Sequence, residues 1–301
     1  MQFRNALGQK RFTPRRALGW FSRQIRDNTL VAYFSLRNKT ARSSILGNSA
    51  VVVSLTTYGP RLKTVHLTIE SISSGSAKPS RLVLWLDERT RSVPLPPAVT
   101  RLQKRGLDVQ YTKDFRPHTK YFPYILESQA TVSPLVTADD DVLYPSSWLA
   151  SLVTAAKAAP PKTVVCHRAQ RLQLNDDGIQ NYRTWSEATD ASRNIRNVAT
   201  GVSGVYYSLS FQQALLAAGS EFDRDFATAD DLWLHLVGLR SGFSAKQLND
   251  RPGNFPTVPR SQKVSLVSSN LLNGNDASIK AGYSETDVAL LRETLESGGV
   301  E

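Results

Sequence analysis

The 301-residue sequence predicts an α/β protein: an open, mixed but mainly parallel sheet flanked by helices, led by a basic N-terminal helical arm. Three observations carry that expectation. Short apolar runs of strand character alternate with stretches whose apolar residues recur at helical spacing, the pattern of repeated βαβ units. Nine of the eleven net positive charges fall within residues 1–45, where ten Lys and Arg face Asp27 alone, so the rest of the chain is nearly neutral. The apolar run Leu135-Val136-Thr137-Ala138 empties into Asp139-Asp140-Asp141, placing three adjacent carboxylates where a buried strand ends.

The totals exclude several classes. An apolar content of 41% and a charged content of 21% are ordinary for a globular protein. The single cysteine, Cys166, rules out an internal disulfide and fits a reducing compartment, and with only four scattered histidines there is no zinc-type cluster. Leu30–Leu36 is too short for a secretory signal and ends on Arg37. The longest uncharged run, Asn197–Ser220, holds Ser, Gln and Gly and reads as a buried strand followed by a helix, not a membrane span. The expectation is a cytoplasmic protein, soluble or peripheral on the inner face of the membrane.

Taken in order, Thr13-Pro14 reads as N-cap and first residue of a helix whose Leu18, Phe21 and Ile25 share a face beside Trp20, with Arg16, Arg23 and Arg26 around it. Such a basic helix suits an anionic membrane surface, or packs on its own domain or a second subunit. No aromatic-basic stacking surface recurs, so nucleic acid is not expected. Val51–Leu55 reads as a buried parallel strand, followed by the loop Thr56-Thr57-Tyr58-Gly59-Pro60-Arg61 and a helix with Leu62, Val65, Ile69 and Ile72 on its apolar face. Leu82–Leu86 is a second strand ending on Asp87-Glu88, and Leu107–Tyr111 a third. Tyr58, Asp87 and the acidic triplet all follow strand ends, so they are expected to converge on one rim. Lys120 precedes the triplet and reads either as a phosphate-facing lysine or as a solvated loop residue.

After the triplet the sequence predicts a helix at Trp148–Val153, a strand at Thr163–His167, and a hairpin with the four-residue turn Asn175-Asp176-Asp177-Gly178. Residues 183–198 show no periodicity and read as a substrate loop. Gly201–Tyr207 reads as a strand whose two glycines allow a close backbone approach. Lys246–Lys263 reads as irregular, Asn273-Gly274-Asn275-Asp276 as a turn, and Ser284–Leu295 as a last amphipathic helix. The organisation expected is a basic arm over 1–45, a main domain over 46–250, and an extension over 251–301.

The triplet itself has two readings. Magnesium and manganese take hard oxygen ligands, usually one or two carboxylates plus substrate phosphates. In an extended chain Asp139 and Asp141 point one way and Asp140 the other, leaving Asp140 for a ribose or a basic neighbour. The other reading is an acidic turn before a helix capped by Ser146 or Ser147. Asp230-Asp231 is similarly open. Thr228 with Asp231 matches a capping box, whereas a carboxylate at a helix start facing a cleft is a general base.

In order and spacing, these segments resemble the nucleotide-sugar-dependent glycosyltransferases of the GT-A fold, in the broad family-2-like group of bacterial polysaccharide enzymes. The resemblance covers about residues 50–250. It rests on Val51–Tyr58, Leu84–Asp87, Lys120, Asp139–Asp141 with Tyr144-Pro145 as a DxD motif, Gly201–Gly204, and Asp230-Asp231. It implies that Asp141 with Asp139 binds Mn²⁺ or Mg²⁺ on the donor diphosphate, with the ligand choice between Asp139 and Asp140 open. It implies that Thr56, Thr57, Tyr58, Asp87, Lys120, Asp139 and Asp140 border the donor nucleotide, UDP before GDP. Trp185, Gly201 and Gly204 would border the donor sugar and acceptor, and Asp231 or Asp230 would act as base in an inverting transfer to a cell-envelope polysaccharide or glycolipid. No histidine follows His235, so phosphate, water or Asp276 would complete the metal shell. A sugar nucleotidyltransferase and a non-catalytic nucleotide-sugar-binding protein are the alternatives on the same core.

Overall fold

Val51-Val52-Val53 and Leu82–Leu86 are β-branched or leucine-rich runs buried on both sides, and in the computed structural model both are central strands. The structure describes residues 14–127, 133–259, 261 and 274–296. In chain order the strands are β1 (Ser49–Thr56), β2 (Pro79–Asp87), β3 (Leu107–Thr112), β4 (Leu135–Thr137), β5 (Thr163–Cys166), β6 (Ala169–Arg171), β7 (Leu174–Asn175), β8 (Gly178–Ile179), β9 (Ser186–Glu187), β10 (Arg193–Asn194), β11 (Asn197–Ala199), β12 (Val205–Tyr207) and β13 (Ser244–Gln247). The helices are α1 (Pro14–Thr40), α2 (Val65–Ser73), α3 (Pro97–Gln103), α4 (Phe122–Glu127), α5 (Trp148–Ala158), α6 (Leu209–Ala218), α7 (Phe222–Asp225), α8 (Asp230–Arg240), α9 (Asn275–Gly282) and α10 (Glu285–Glu296).

The main sheet has the order β10-β13-β5-β12-β4-β1-β2-β3. Strands β3, β2, β1 and β4 are parallel, β12 runs antiparallel between β4 and β5, and β13 is parallel to β5. The expected mixed, mainly parallel sheet is what forms. The chain runs outward through β2 and β3, then returns to lay β4 on the other side of β1. Beyond the carboxyl ends of β1 and β4 lies the crevice where such sheets bind ligands.

Alternate strand residues feed two apolar layers. Val53, Leu55, Leu84 and Val136 pack on one face with Ile69, Leu102 and Leu149 from α2, α3 and α5. Val52, Val83, Trp85 and Leu135 share the opposite layer with Phe122, Phe211, Phe222 and Trp233. Helix α8 is apolar almost all round between its ends, so it is buried and only its first and last turns carry charge.

Helix α1 is longer than the arm pattern suggested, and its second half belongs to the packed domain. Phe34 is buried with Leu67, Leu143 and Val258. Asn38 Nδ2 donates to Glu70 Oε1 at 3.2 Å and to the Ala98 carbonyl at 3.1 Å. Thr13, expected as the N-cap, lies outside the described residues, as do the side chains of Leu18, Trp20 and Phe21. Residue 273 of the expected turn does too.

Four local expectations change. The segment 183–198 is not a featureless loop: it forms a 3₁₀ turn at Tyr182–Thr184 and strands β9 and β10, with Arg193 and Asn194 paired to β13. These strands are only two residues long, too short to show a period. The hairpin β7–β8 has a two-residue turn, Asp176-Asp177, because Gly178 adopts φ +120° and returns to the ladder at once. Gly201–Ser203 is a 3₁₀ turn and the strand starts only at Val205. Lys246 lies in β13, and Asn275-Asp276 opens α9. Tertiary pairing overrides the local irregularity in these places.

Candidate active site

The loops after β1 and β4 meet at the switch point, and their side chains are tied together. Arg61 Nη1 lies 2.7 Å from Asp140 Oδ1, and its Nη2 lies 3.1 Å from Asp141 Oδ2. The Thr57 hydroxyl donates to Asp140 Oδ2, and the Thr68 hydroxyl to the Asp140 carbonyl at 2.9 Å. Asp140 is therefore bound to a basic neighbour, but Asp141 shares that neighbour while Asp139 faces Lys120, so the expected alternation does not form: β4 ends at Thr137 and the chain turns at Asp140-Asp141. Burial pushes its carboxyl up to about 6, against the pull of Arg61 and Thr57. Asp141 is also raised by burial, with Arg61 opposing. From the far side, the Val258 N–H donates to the Asp141 carbonyl at 2.7 Å.

Asp139 faces a second group. Its backbone N–H donates to the Tyr144 hydroxyl at 2.9 Å, and that hydroxyl donates to the Val202 carbonyl at 3.2 Å. The buried amine of Lys120 donates to Asp139 Oδ1 at 2.8 Å and lies 3.1 Å from Asp230 Oδ2. Burial works against that ammonium, but Asp139, Asp230 and Asp231 together hold it well above its ordinary value. The Lys120 carbonyl accepts from Ser54 Oγ at 2.7 Å, and Ser54 Oγ accepts from Trp85 Nε1 at 3.0 Å, which fixes the lysine to β1 and β2.

The pair at the start of α8 completes the cluster. Asp231 Oδ1 accepts the Gly201 N–H at 2.9 Å. The N-cap position is Ala229, with no side-chain cap, so the capping-box arrangement is not what forms. Asp231 reaches across to the glycine turn instead. Burial, with Asp230 next, pushes the Asp231 carboxyl up to about 8. A Cβ on Gly201 would sit 2.9 Å from Lys120 Nζ and 3.3 Å from Asp231 Oδ1, so a side chain there would push on the lysine amine and on the carboxylate it approaches. Gly204, at φ +96°, is needed for another reason: a Cβ there would lie 2.5 Å from Trp148 Nε1.

Asp139, Asp140, Asp141, Lys120, Gly201, Asp230, Asp231 and Thr57 are thus brought together. Thr56 gives its hydroxyl to the Trp85 carbonyl at 3.1 Å, and Tyr58 is half-exposed with Arg61 5.7 Å from its ring centre. Asp87 stands at the end of β2 and is engaged by Arg89, whose Nε donates to its Oδ2 at 2.8 Å and holds the carboxyl below the usual range. Trp185 lies in the apolar core, its indole N–H given to the Gln180 carbonyl at 3.0 Å. Asp276 accepts the Tyr182 N–H at 2.7 Å, and His235 is bonded to Tyr283 and the Ile195 carbonyl. Arg61 was assigned no role by sequence reasoning, and Tyr144 was named only within the motif, not as the hydroxyl that joins Asp139 to Val202. The one available signal for Arg61 was its being the first cation after β1, facing a triplet that needed neutralising.

Five carboxylates meet two cations here, so the site carries a negative excess. Among the described residues, no group of three or more His, Cys, Asp or Glu is arranged to hold a metal ion. Magnesium and manganese need fewer protein ligands when phosphate and water fill the shell. Asp139 is the best placed for such use, with its side chain 28% exposed against 5% and 6% for its neighbours. Hard oxygen donors with unbalanced negative charge fit a divalent cation, and a diphosphate would be repelled without one.

No family model matches the chain, and no curated protein matches it in sequence. Among solved structures, the mannosyltransferase PcManGT from Pyrobaculum calidifontis, in complex with GDP-Man and Mn²⁺, is similar over 90% of this chain and 78% of that one, at TM-score 0.50 and 15% identity. TarS 1-349 from S. aureus, in complex with UDP, is similar over 82% of this chain and 71% of that one, at TM-score 0.46 and 14% identity. The inositol-1-phosphate CTP transferase from T. maritima is similar over 79% of this chain and 99% of that one, at TM-score 0.40 and 13% identity. At such identities the likeness is one of fold. The chain has the GT-A-like fold.

Proposed function

We propose that the protein is a metal-dependent glycosyltransferase that moves a sugar from a nucleotide diphosphate donor to a hydroxyl of a cell-envelope polysaccharide or glycolipid, with inversion at the anomeric carbon. The observation that supports it is the meeting, at one switch point, of the acidic triplet, Lys120 and the Asp230-Asp231 pair. Asp139 and Asp141 would hold Mn²⁺ or Mg²⁺, which when bound supplies Lewis-acid stabilisation of the leaving diphosphate. Thr56, Thr57, Tyr58, Asp87 and Asp140 border the nucleotide, a UDP-sugar before a GDP-sugar. Lys120 gives its ammonium to the phosphate side of the site while remaining in reach of Asp139 and Asp230.

Asp231 is the base. Its Oδ1 is anchored by Gly201, and its carboxyl is raised toward neutrality, where a base is best matched to a hydroxyl proton. A base on the face opposite the leaving group gives a single inverting displacement. Gly201 and Gly204 bound the turn that meets Asp231 and border the donor sugar and acceptor, whereas Trp185 is held in the apolar core. The nucleotidyltransferase alternative needs a free basic loop after β1 for a triphosphate, whereas Arg61 is committed to Asp140 and Asp141.

The arm places the enzyme at an anionic membrane surface. Ile25, Tyr33 and Leu36 are exposed on α1, which also carries Arg23, Arg26 and Lys39. No helix among the described residues is long and apolar enough to cross a membrane. Removing residues 1–27, which spares the packed half of α1, should abolish sedimentation with anionic liposomes; equal pelleting would refute the membrane role.

The test of the main reading is a thermal-shift panel of UDP, GDP, CMP and dTDP with and without Mn²⁺. At about 100 times its Kd a ligand adds roughly 2.7 kcal/mol. A metal-dependent shift with one nucleotide identifies the donor base. No shift with any of them refutes the donor site.

A further inference from the structure

His118 is buried, with 0% of its surface exposed, and the proposed chemistry does not use it. It sits two residues before Lys120 in a 3₁₀ turn, Arg116–Lys120, that Arg116 enters at φ +55°. Its Nε2 is 2.8 Å from the Phe226 carbonyl, and its Nδ1 is 2.6 Å from the Tyr121 hydroxyl. The ring stacks on Phe222 at 3.9 Å and 10°. A carbonyl only accepts, so Nε2 carries the proton and Nδ1 accepts from Tyr121. Burial pushes the imidazole down to about 4, with Asp230 and Asp223 opposing and Lys120 assisting, so the ring is neutral at physiological pH.

The Phe226 carbonyl also accepts the Ala229 N–H at 2.8 Å. That bond closes the turn that leads into Asp230 and Asp231, and α8 has no side-chain cap of its own. His118 therefore holds the entry to α8 from outside the helix, while Lys120, on the same short turn, is paired with Asp139 and Asp230. The turn is itself bolted to β1 and β2 through Ser54 and Trp85.

We infer that His118 is a positioning residue: through the Phe226 carbonyl it sets the α8 entry, and so the Asp230-Asp231 pair, against the Lys120–Asp139 side of the site. The inference deepens the glycosyltransferase reading and rests on it for its kinetic consequence, though not for its structural one. The ring does no acid–base work, and its effect is transmitted by geometry, where a displacement of about 1 Å is worth about 10²-fold in rate.

The experiment compares His118→Phe, which keeps the stack and loses the donor, with His118→Gln, whose amide restores an N–H near Nε2. Hydrogen exchange of the amides of residues 226–233 is read first. His118→Phe should speed their exchange at least tenfold while leaving β1 and β2 unchanged, and His118→Gln should recover most of the protection. With the donor found by the nucleotide panel, His118→Phe should lower kcat about 10²-fold with donor KM within about twofold. Unchanged exchange at 226–233, or a loss spread evenly over the whole chain, would overturn the inference whatever the activity. Altered exchange with no transfer by the wild type would instead count against the glycosyltransferase reading and leave the positioning role standing.

Discussion

Two buried charge clusters in this protein are built on opposite principles. Glu70, fully buried on α2, lies between two arginines: Arg37 Nε is 3.1 Å from Oε2, and Arg105 grips both oxygens, its Nη2 lying 3.3 Å from Oε2. Asn38 and Ser73 add neutral donors at 3.2 and 3.3 Å. One carboxylate thus has more donors than it needs, and the cluster clamps α1 and α3 to α2. At the mouth of β1 and β4 the ratio is reversed, with five carboxylates around Lys120 and Arg61. There Asp230 Oδ2 is buried without a hydrogen bond, although Lys120 is near, and Asp231 titrates far above an ordinary aspartate. An excess of cations around one carboxylate clamps helices together, whereas an excess of carboxylates around two cations leaves negative charge that the fold itself does not balance.

The largest expected effect separates the two clusters by activity. Asp231→Asn should reduce transfer by about 10²–10⁴-fold with nucleotide affinity retained, as for loss of a general base. Initial rates with the identified donor, beside a nucleotide thermal shift, decide it, and unchanged transfer would remove Asp231 from the chemistry. Glu70→Leu should do the converse. It strands two arginines, one of them almost fully buried, and should cost about 3–5 kcal/mol in urea unfolding while the folded fraction still binds nucleotide.

Arg61→Met sharpens the contrast, because Arg61 serves both ends. It leaves Asp140 and Asp141 buried without their cation, so stability should fall by a comparable ~3–5 kcal/mol at pH 7. Because burial raises both carboxyls and removal of Arg61 raises them further, the loss should shrink as pH falls and be smallest below about 6, where Asp140 is protonated even beside the arginine. A constant loss from pH 5 to 8 would contradict the assigned pairing.

The smallest effect is a pH slope. Asp231 holds its proton more tightly in the folded state than in the unfolded chain, so its contribution to stability is intact at low pH and is lost as pH rises toward about 8. Asp231→Asn removes that slope. At pH 8 the variant should melt above the wild type by at least about 2–4 °C, roughly 1 kcal/mol, and the gap should close near pH 4. Melting curves at five pH values would show it.

Periodicity made the scaffold legible. Strands β1, β2 and β3, the helix between the first two and the terminal helix at 285–296 were readable because buried strands and amphipathic helices each write a repeat long enough to see. The short strands β9, β10 and β11 were not, since two or three residues carry no period and their partners come from distant β6 and β13. In the site, the carboxylates announced themselves by type and order. Arg61, Tyr144 and His118 gave no comparable signal, because each acquires its role from a partner 79, 58 or 108 residues away.

What the sequence alone determined is the menu: an open α/β core, a basic leading helix, an acidic triplet at a strand end and an acidic pair at a helix start. Each follows from local chemistry that neighbours in the chain can express. Which carboxylate meets which cation was settled only by the tertiary structure. The return of β4 to the side of β1 brings the Arg61 loop onto Asp140 and Asp141, and the glycine turn at 201 brings Asp231 within reach of Lys120. Burial and Coulomb interaction depend on separation in space, and it is folding that divides the aspartates between Arg61, which meets Asp140 and Asp141, and Lys120, which meets Asp139 and Asp230.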